Sequence, residues 1–425
     1  MYPMTNPVQR YAWGSRTALA RLQRRTPSGE PEAELWMGAH PAAPSLLSGG
    51  DHDHGAAVSL LDRIAQDPEG VLGADVLGTF GARLPFLLKI LAIDAPLSLQ
   101  AHPDPRQARE GFTDEEARGV PVEAPERRYR DPAAKPELLC ALTEVEALCG
   151  FRDPARSAVL LESLGVEALN PVTRRLAEGP PAQAIRDVLA QLLTWPKVDR
   201  PALVESVATA ARRRVAGGGT RPGAGVSPAA DLAACGWAVR LAELHPADPG
   251  VVCALLLNHV RLWPGEAIAL PAGNLHAYLR GVGVEIMGNS DNVLRGGLTP
   301  KHVDVPELLR ILQTAPTSPE VLTAQPAADG EEVYLTEFPE FRLSRLRLHG
   351  PTITLQRRGP QVLLGVEGEV SVRSATGDLR LQPGQSAFVT AAAAPVGLAG
   401  QGTVLRATPG LPPGSDRPAP RGSAG

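Results

Sequence analysis

The chain carries the run Leu99-Gln100-Ala101-His102-Pro103 directly after a hydrophobic stretch at residues 84–97. If that stretch is a strand, its period of two points Gln100 and His102 to the same face. Two donors on one rigid face can bind a divalent cation. A Q-x-H pair alone is weak support, because most such pairs are surface groups or hydrogen-bonded core groups.

Two later segments add donors of the same kind. Lys135 and Glu137 stand between prolines and a hydrophobic run, and a turn at Gly273-Asn274 leads into a predicted strand with His276. A β-barrel whose inward side chains line a cavity can bring such distant residues together. A plausible set of nitrogen and oxygen ligands is then Gln100, His102, Glu137 and His276. One carboxylate and three neutral ligands leave a Zn²⁺ site with net positive charge, which suits a substrate oxyanion.

Composition places the chain among ordinary globular proteins. Its 425 residues suffice for about two to four domains, with 43% hydrophobic and 21% charged residues. The net charge of −4 and the isoelectric point near 6.2 give no electrostatic reason to expect nucleic-acid binding. The N-terminal segment lacks a signal-peptide pattern, and the longest apolar runs, such as residues 251–257, are too short to span a bilayer. Four cysteines without C-x-x-C spacing suit reduced thiols, so we expect a cytoplasmic protein.

The spacing of apolar residues divides the chain. Short strands and turns fill residues 1–150, helical spacing runs from about 153 to 245, and strand signals resume near Val260. An all-β stretch from Val333 to Arg406 has the strand spacing of a sandwich or jelly roll. These patterns predict a mainly β fold with an α-helical insertion. The predicted units are a metal-binding jelly roll at 1–152 and 246–320, a helical domain at 153–245, a C-terminal jelly roll at 321–408, and a disordered tail at 409–425.

Three shorter segments carry secondary predictions. Residues 49–55 contain His and Asp side chains without flanking structure, so an exposed loop is favoured over a metal site. Residues 217–228 are rich in Gly and Pro and predict a flexible loop; it is not a phosphate-binding loop, because no G-K-[ST] follows. The run Pro383–Val389 repeats the form of Pro264–Pro271 without a counterpart to His276, so the second jelly roll is predicted to lack a metal.

Several of these segments together resemble the type I mannose-6-phosphate isomerase family, in order and in spacing. The matching runs span about residues 1–310: Tyr11-Ala12-Trp13-Gly14-Ser15, Glu34-Leu35-Trp36-Met37-Gly38, Leu99–Pro103, Lys135–Leu138 with Glu146–Phe151, and Pro271–Lys301, which contains Ser290-Asp291-Asn292-Val293-Leu294-Arg295. The C-terminal region is similar mainly in architecture. The resemblance implies two cupin-type jelly rolls with an inserted helical domain. It also implies one zinc ion per chain, held by the same four ligands, and interconversion of mannose 6-phosphate and fructose 6-phosphate through a cis-enediol.

The resemblance further implies roles in catalysis. Arg295 can supply positive charge to a developing enediolate. A surface salt bridge is the alternative, but the tight Ser290-Asp291-Asn292 run before it and Gly296-Gly297 after it favour a positioned guanidinium. Glu285 is a candidate proton shuttle on what could be the strand next to His276, or else a structural carboxylate. Lys135 and Asp291 match family positions discussed for acid–base roles, so the base stays open. Many relatives have a His directly before Lys-Pro-Glu, whereas this chain has Ala134, which favours the other three candidates.

For the substrate, the family pattern points to Ser98, Lys89 and Lys301 as phosphate-binding residues. Lys89 interrupts an apolar strand, so a buried ammonium there needs an anionic partner, either a carboxylate or the phosphate. Tyr278 and Trp13 can shape the sugar pocket, or simply pack in the core.

Two other functions stay open at this point. A cupin dioxygenase would hold iron through two His and a carboxylate, but a Gln ligand and an anion site at Arg295 and Lys301 argue against it. A non-enzymatic cupin would bind a sugar phosphate without turnover. A bifunctional isomerase–nucleotidyltransferase is disfavoured, because no Gly-rich nucleotide-binding segment precedes the cupin region. The expected partner is a small sugar phosphate, with no nucleic acid and no membrane, and we expect a monomer.

Overall fold

The structure is a computed structural model that describes residues 1–48, 57–217, 228–356 and 359–411. The predicted loop at 49–55, residues 218–227 of the second predicted loop, and residues 412–425 of the predicted tail lie outside the described residues.

Within the described residues, β-strands dominate both ends of the chain and helices dominate its middle. The strands are Tyr2–Thr5, Val8–Gln9, Glu34–Met37, Leu46–Leu47, Val58–Ser59, Phe86–Ile93, Gln100–Ala101, Glu137–Ala141, Val145–Phe151, Leu257–Leu262, Glu266–Leu270, His276–Gly288, Leu294–Arg295, Val321–Thr323, Gln325–Pro326, Glu331–Tyr334, Arg342–Leu348, Ile353–Leu355, Gln361–Ser374, Gly377–Leu381, Ser386–Val389 and Val396–Thr408. The α-helices are Ala18–Leu22, Leu60–Gln66, Pro68–Leu72, Ala74–Phe80, Pro105–Ala117, Pro154–Leu164, Asn170–Glu178, Pro181–Leu193, Arg200–Ala216, Pro228–Leu244, Gly250–Ala254 and Val305–Ile311, and short 3₁₀ helices are Glu167–Leu169, Ala328–Gly330 and Ala391–Ala393.

The strand His276–Gly288, called the central strand below, organises the first sheet. Its first half pairs with Val145–Phe151, and its second half pairs with Phe86–Ile93 and Glu137–Ala141. The change of partners falls at Gly281, where φ is +115° and a Cβ would lie 2.4 Å from the Glu144 carbonyl oxygen. Only glycine suits such a conformation and approach, so Gly281 lets one strand serve both walls of a barrel.

The barrel has an apolar interior beside its polar residues. Leu91, Leu139, Val145, Leu262 and Tyr278 belong to one buried cluster. Leu91 shares a strand face with Lys89, Leu139 with Glu137, and Tyr278 with His276, because alternate residues point to the same side. The polar side chains therefore stand above a packed apolar floor that excludes water from one side.

The opposite faces of the barrel strands are covered by two different layers. Leu99, Phe151 and Ala277 pack in one buried cluster with Leu189 and Val207 of the helical insertion. On the other wall, a second cluster joins Leu88, Ile90 and Ile286 to residues of the C-terminal strands, among them Phe388 and Leu405.

The helices of the insertion start and stop where their sequence dictates. Pro154 occupies the first turn of its helix, and the Asp153 side chain before it accepts a hydrogen bond from the Arg156 N–H. Gly165 ends the same helix in the left-handed conformation that glycine tolerates best. None of the described helices is long and apolar enough to cross a bilayer.

The second sheet is built mainly from residues after 324. Its strands run in the order Gln325–Pro326, Glu331–Tyr334, Arg342–Leu348, Val396–Thr408, Gln361–Ser374, Ser386–Val389, Tyr2–Thr5, Leu46–Leu47 and Val58–Ser59. The first strand of the chain thus pairs with a strand near its end, in the register Tyr2↔Phe388. The predicted fold class, mainly β with an α-helical insertion, is confirmed. The domain boundaries stay a prediction, and this pairing brings residues 2–5 to the C-terminal unit.

Truncation tests the shared core between the two β units. A chain that ends at residue 320 should expose the apolar wall that Ile286 and Leu88 now present to Phe388 and Leu405. We expect it to aggregate, as judged by soluble yield and size-exclusion chromatography. A chain that ends at Leu411 is the control and should stay soluble and active, because it keeps the Gly410 N–H bond to the Pro339 carbonyl. A soluble chain that ends near residue 320 would contradict the shared core.

Candidate metal centre and active site

Three buried side chains from separate strands meet in the barrel. His276 begins the central strand, Glu137 begins the strand Glu137–Ala141, and His102 follows the short strand Gln100–Ala101. The Nε2 atoms of His102 and His276 lie 3.2 Å from Glu137 Oε1 and Oε2, respectively. One ligand atom from each residue falls within 4.8 Å of the others. Two imidazoles and a carboxylate at such distances fit a transition-metal ion.

The hydrogen bonds of the two imidazoles fix which nitrogen is free. His102 Nδ1 donates to the Asn292 carbonyl oxygen at 2.7 Å, and His276 Nδ1 donates to the Asn274 carbonyl oxygen at 3.1 Å. A carbonyl oxygen only accepts, so Nδ1 carries the proton and Nε2 presents a lone pair to the centre. In the part of the chain that the structure describes, both Nε2 atoms and Glu137 Oε2 are buried without a hydrogen-bond partner. Such unpartnered acceptors need a cation.

The charges of these residues suit a metal ion. Burial lowers the pKa of His102 to about 4, so the ring is neutral at physiological pH. Burial opposes ionisation of Glu137, but His102 and Lys135 hold the pKa of that carboxyl well below its usual value. The site thus offers a neutral His102 imidazole and an ionised Glu137 carboxylate, which are the forms that bind metals.

The sheet register places Gln100 next to His102, Glu137 and His276, which are called the triad below. Gln100 lies directly opposite His276 on one side and Arg295 on the other. Residues that face each other across a ladder project from the same side of the sheet, so Gln100, His276 and Arg295 share one face. His102 reaches the site differently from the sequence prediction. The strand Phe86–Ile93 ends before it, and the loop is held by the Gly273 N–H, which donates to the His102 carbonyl.

A second cluster of charges lies along the other half of the central strand. Glu285 pairs in register with Lys89, and Lys89 pairs with Trp36. Lys89 Nζ lies 3.3 Å from Glu34 Oε2, 3.7 Å from Glu285 Oε2 and 4.9 Å from the centre of the Trp36 ring. Burial works against the charge of Lys89, but Glu34 and Glu285 keep its pKa above the usual value. Glu285 therefore lies on the same strand as His276, and not on a neighbouring one.

Glu285 combines burial with a carboxyl group that titrates near neutrality. Burial and the negative charge of Glu137 raise the pKa of Glu285 to about 7, against the opposing effect of Lys89 and Lys135. The Tyr278 hydroxyl donates to Glu285 Oε1 at 3.0 Å and fixes its orientation. Burial raises the pKa of Tyr278 well above its usual value, so that hydroxyl keeps its proton. A positioned carboxyl with such a pKa can accept and return a proton.

Lys135 and Asp291 flank the triad. Lys135 Nζ is buried and lies 3.2 Å from Glu137 Oε1. Asp291 is partly exposed and accepts a hydrogen bond from His40 Nε2 to Oδ1 at 3.3 Å. Burial raises the pKa of Asp291, but the His40 hydrogen bond and nearby positive charges more than offset this, so the carboxyl stays ionised. Between these groups, Ala134 is buried and offers no titratable side chain.

Positive charge collects at Arg295, Lys301 and Arg130. The pKa of Lys301 is lowered mainly by the charge of Arg295, and then by burial and by the charge of Arg130. Burial and the charge of Arg130 likewise lower the pKa of Arg295. Within the described ranges, the side chains of Arg295 and Lys301 form no ion pair with a carboxylate. Cations that repel one another without a counter-ion suit a bound anion. No hydrogen bond in the described part of the chain links Ser98 to this cluster, and Trp13 packs on the barrel core that includes Tyr278.

Comparisons with known proteins show the family of this chain. Residues 1–154 match the family model for the catalytic domain of type I phosphomannose isomerase, and residues 332–409 match the model for the mannose-6-phosphate isomerase cupin domain. The chain is 37% identical to mannose-6-phosphate isomerase of Escherichia coli K12 over 413 residues, which is 96% of this chain and 99% of that protein. The chain belongs to the type I mannose-6-phosphate isomerase family. Similarity to the human enzyme is 30% identity, with 92% and 93% of the two chains covered.

Solved structures of the family share the architecture. Mannose 6-phosphate isomerase from Salmonella typhimurium, bound to fructose 6-phosphate and zinc, matches with a TM-score of 0.85 at 35% identity, over 97% of this chain and 100% of that one. A zinc-bound mannose 6-phosphate isomerase matches with a TM-score of 0.84 at 34% identity, over 96% of this chain and 99% of that one. The predicted family, enzyme class and cupin fold are confirmed.

In this member of the isomerase family, five residues around the site escaped the sequence predictions: Glu34, Trp36, His40, Arg130 and Asn292. The first two occur in the run Glu34–Gly38 that carries the resemblance, and their alternation on the strand Glu34–Met37 places both on one face. That pattern could have flagged them as partners of Lys89. His40, Arg130 and Asn292 lie in loops, where the spacing of residues does not predict which way a side chain points.

Proposed function

We propose that this chain is a zinc-dependent aldose–ketose isomerase that interconverts D-mannose 6-phosphate and D-fructose 6-phosphate through a cis-enediolate. The observation that supports it best is the set of unpartnered, buried donor atoms of His102, Glu137 and His276. Glu285 is close enough for the charge of Glu137 to raise its pKa, and Arg295 follows His276 by register through Gln100. Gln100 supplies the fourth ligand from its register position opposite His276. When bound, zinc supplies Lewis-acid charge for the oxygens of the reacting carbons.

Glu285 is the proposed proton shuttle between C1 and C2. It is buried, held by the Tyr278 hydroxyl, and its pKa of about 7 balances proton uptake and release. Lys135 is in contact with Glu137, so its ammonium balances the charge of the metal ligands. Asp291 is more exposed and ionised, which suits a role at the sugar hydroxyls near the mouth of the site. Arg295 faces the developing negative charge of the enediolate from the register position beside Gln100.

The phosphate of the substrate is assigned to Lys301 and Arg130, whose charges lie close to that of Arg295. These side chains carry positive charge that no described carboxylate neutralises in an ion pair. Lys89 is assigned to Glu34 and Glu285, because its ammonium already has both as partners inside the barrel. Ser98 stays a predicted phosphate-binding residue, and Tyr278 and Trp13 stay predicted parts of the sugar pocket. A cytoplasmic location and a monomeric state also stay predictions.

A coupled assay tests the proposed function. The purified protein should convert mannose 6-phosphate to fructose 6-phosphate, lose this activity on dialysis against a chelator, and regain it with zinc. Oxygen uptake with bound iron would instead support the dioxygenase. Sugar-phosphate binding without turnover in the zinc-loaded protein would refute the isomerase.

A pair of lysine variants separates the two roles of positive charge. Lys89→Met removes a cation that lowers the pKa of Glu285, so the acidic limb of the kcat/KM profile should move to higher pH by about one unit or more. The direction follows because Glu285 must be ionised to accept a proton, and its ionisation becomes harder without Lys89. Lys301→Met is the matched control, and should raise KM for the sugar phosphate without moving that limb. If Lys89→Met instead greatly raised KM and left the pH profile of kcat/KM unchanged, Lys89 would be assigned to the phosphate.

A further inference from the structure

The Asn292 side chain is fully buried, and its hydrogen bonds all go to the neighbouring segment 130–133. Its Oδ1 accepts from the backbone N–H groups of Arg130 at 2.8 Å and Asp131 at 3.3 Å. Its Nδ2 donates to the carbonyl oxygens of Asp131 at 2.7 Å and Ala133 at 2.9 Å. All the polar groups of the carboxamide therefore bind backbone atoms of residues 130–133.

The main chain of Asn292 contacts a metal ligand directly. Its carbonyl oxygen accepts the Nδ1 proton of His102 at 2.7 Å, and this bond leaves Nε2 of that ring free. The segment held by the side chain continues through Lys135 into Glu137, the carboxylate ligand. One residue thus connects two ligands that are far apart in the sequence.

We propose that Asn292 is a positioning residue that fixes the tautomer of His102 and the approach of Glu137 to the metal ion. The proposal rests on the proposed function only in taking that ion to be zinc. Partners behind a metal ligand set its orientation and basicity, and their loss typically weakens metal binding about 10- to 100-fold. A carboxamide suits this position because it both donates and accepts. An aspartate cannot donate to the two carbonyls. An alanine removes a hydrogen bond from four backbone groups, of which the Ala133 carbonyl keeps the Ser290 hydroxyl as a partner.

Ser290 supports the same connection with a weaker contact. Its hydroxyl accepts from the Asn292 N–H at 3.2 Å and lies 3.1 Å from Asp131 Oδ2 and from the Ala133 carbonyl oxygen. Asn289, on the same loop, donates its amide to the Leu84 carbonyl at 3.2 Å, away from the metal ligands. Ser290 therefore offers a variant with a smaller expected effect, and Asn289 offers a matched control.

The test measures zinc retention without substrate. Asn292→Ala should lose zinc to a chelator with about 10- to 100-fold weaker affinity than the unmodified chain, and Co²⁺ loaded in its place should show an altered visible spectrum. Ser290→Ala should weaken retention by a smaller factor, and Asn289→Ala should leave both the affinity and the spectrum unchanged. Circular dichroism and size-exclusion chromatography check that each variant folds.

The following results would overturn the proposal. Wild-type zinc affinity and cobalt spectrum in a folded Asn292→Ala chain would overturn the proposal, as would an equal loss of zinc in Asn289→Ala. If Asn292→Ala does not fold, Ser290→Ala decides, and unchanged zinc retention in that variant would overturn it. Because no turnover is measured, failure of the isomerase assay on the unmodified chain would refute the proposed function without affecting this result.

Discussion

Replacing His276 with alanine is expected to give a folded chain that holds no zinc and has no detectable isomerase activity. His276 supplies one of three buried donor atoms that lie within 4.8 Å of one another, and its removal leaves too few ligands for stable binding. The change also leaves Glu137 Oε2 without the imidazole at 3.2 Å. Metal analysis of the purified variant and the coupled assay give the two measurements.

His349→Ala is the matched control for this experiment. His349 is exposed in the C-terminal part of the chain, so zinc content and activity should equal those of the unmodified protein. Stoichiometric zinc in His276→Ala would remove that residue from the ligand set. Zinc loss in both variants would mean that the assay reports general damage instead of ligation.

Replacing Arg295 with alanine is expected to keep zinc and the fold while lowering kcat by about 10²- to 10³-fold, as for loss of a preorganised oxyanion donor. Arg295 lies opposite Gln100, outside the triad, and its guanidinium makes no ion pair within the described residues. Steady-state kinetics with both sugar phosphates separates the alternatives. If Arg295 mainly holds the phosphate in the ground state, KM should rise while kcat stays nearly constant.

Two further substitutions sharpen this test. Arg295→Lys should rescue little, because an ammonium cannot reproduce a planar, two-pronged contact. Arg109→Ala, at an exposed position on the helix Pro105–Ala117, should have no effect on kcat or KM. Near wild-type kcat/KM in Arg295→Ala would exclude Arg295 from the site.

The sequence predicted the three clustered ligands because their chemistry limits the choice. His and Glu carry the nitrogen and oxygen donors that zinc binds, each stood at the edge of a predicted strand or turn, and His102, Glu137 and His276 do converge. The predicted placement of His102 on the strand before it was wrong. The strand Phe86–Ile93 does not continue to His102, whose position comes from loop contacts with Gly273 and Asn292. Such contacts join distant segments and leave no periodic signal in the sequence.

The position of Glu285 shows a second limit. Glu285 stands nine positions after His276 in the sequence, and the expectation was a neighbouring strand. A strand of 13 residues that changes partners at Gly281 places both on one strand. Apolar patterning predicts that a strand exists, but it does not show that one strand can bend through two walls of a barrel. For Lys89, burial was predictable, whereas the choice between carboxylates and phosphate needed the tertiary contacts of Glu34 and Glu285.

The pairing of Tyr2–Thr5 with Ser386–Val389 has a consequence for synthesis on the ribosome. The strand Tyr2–Thr5 leaves the exit tunnel long before its partner Ser386–Val389, because most of the sequence printed here lies between the two strands. Until then the nascent polypeptide carries a strand edge with unpaired N–H and C=O groups, which other chains or chaperones can capture. Joining segments so far apart is slow. We therefore expect the pairing of Tyr2–Thr5 with Ser386–Val389 to form last, after the barrel around the zinc ligands has formed.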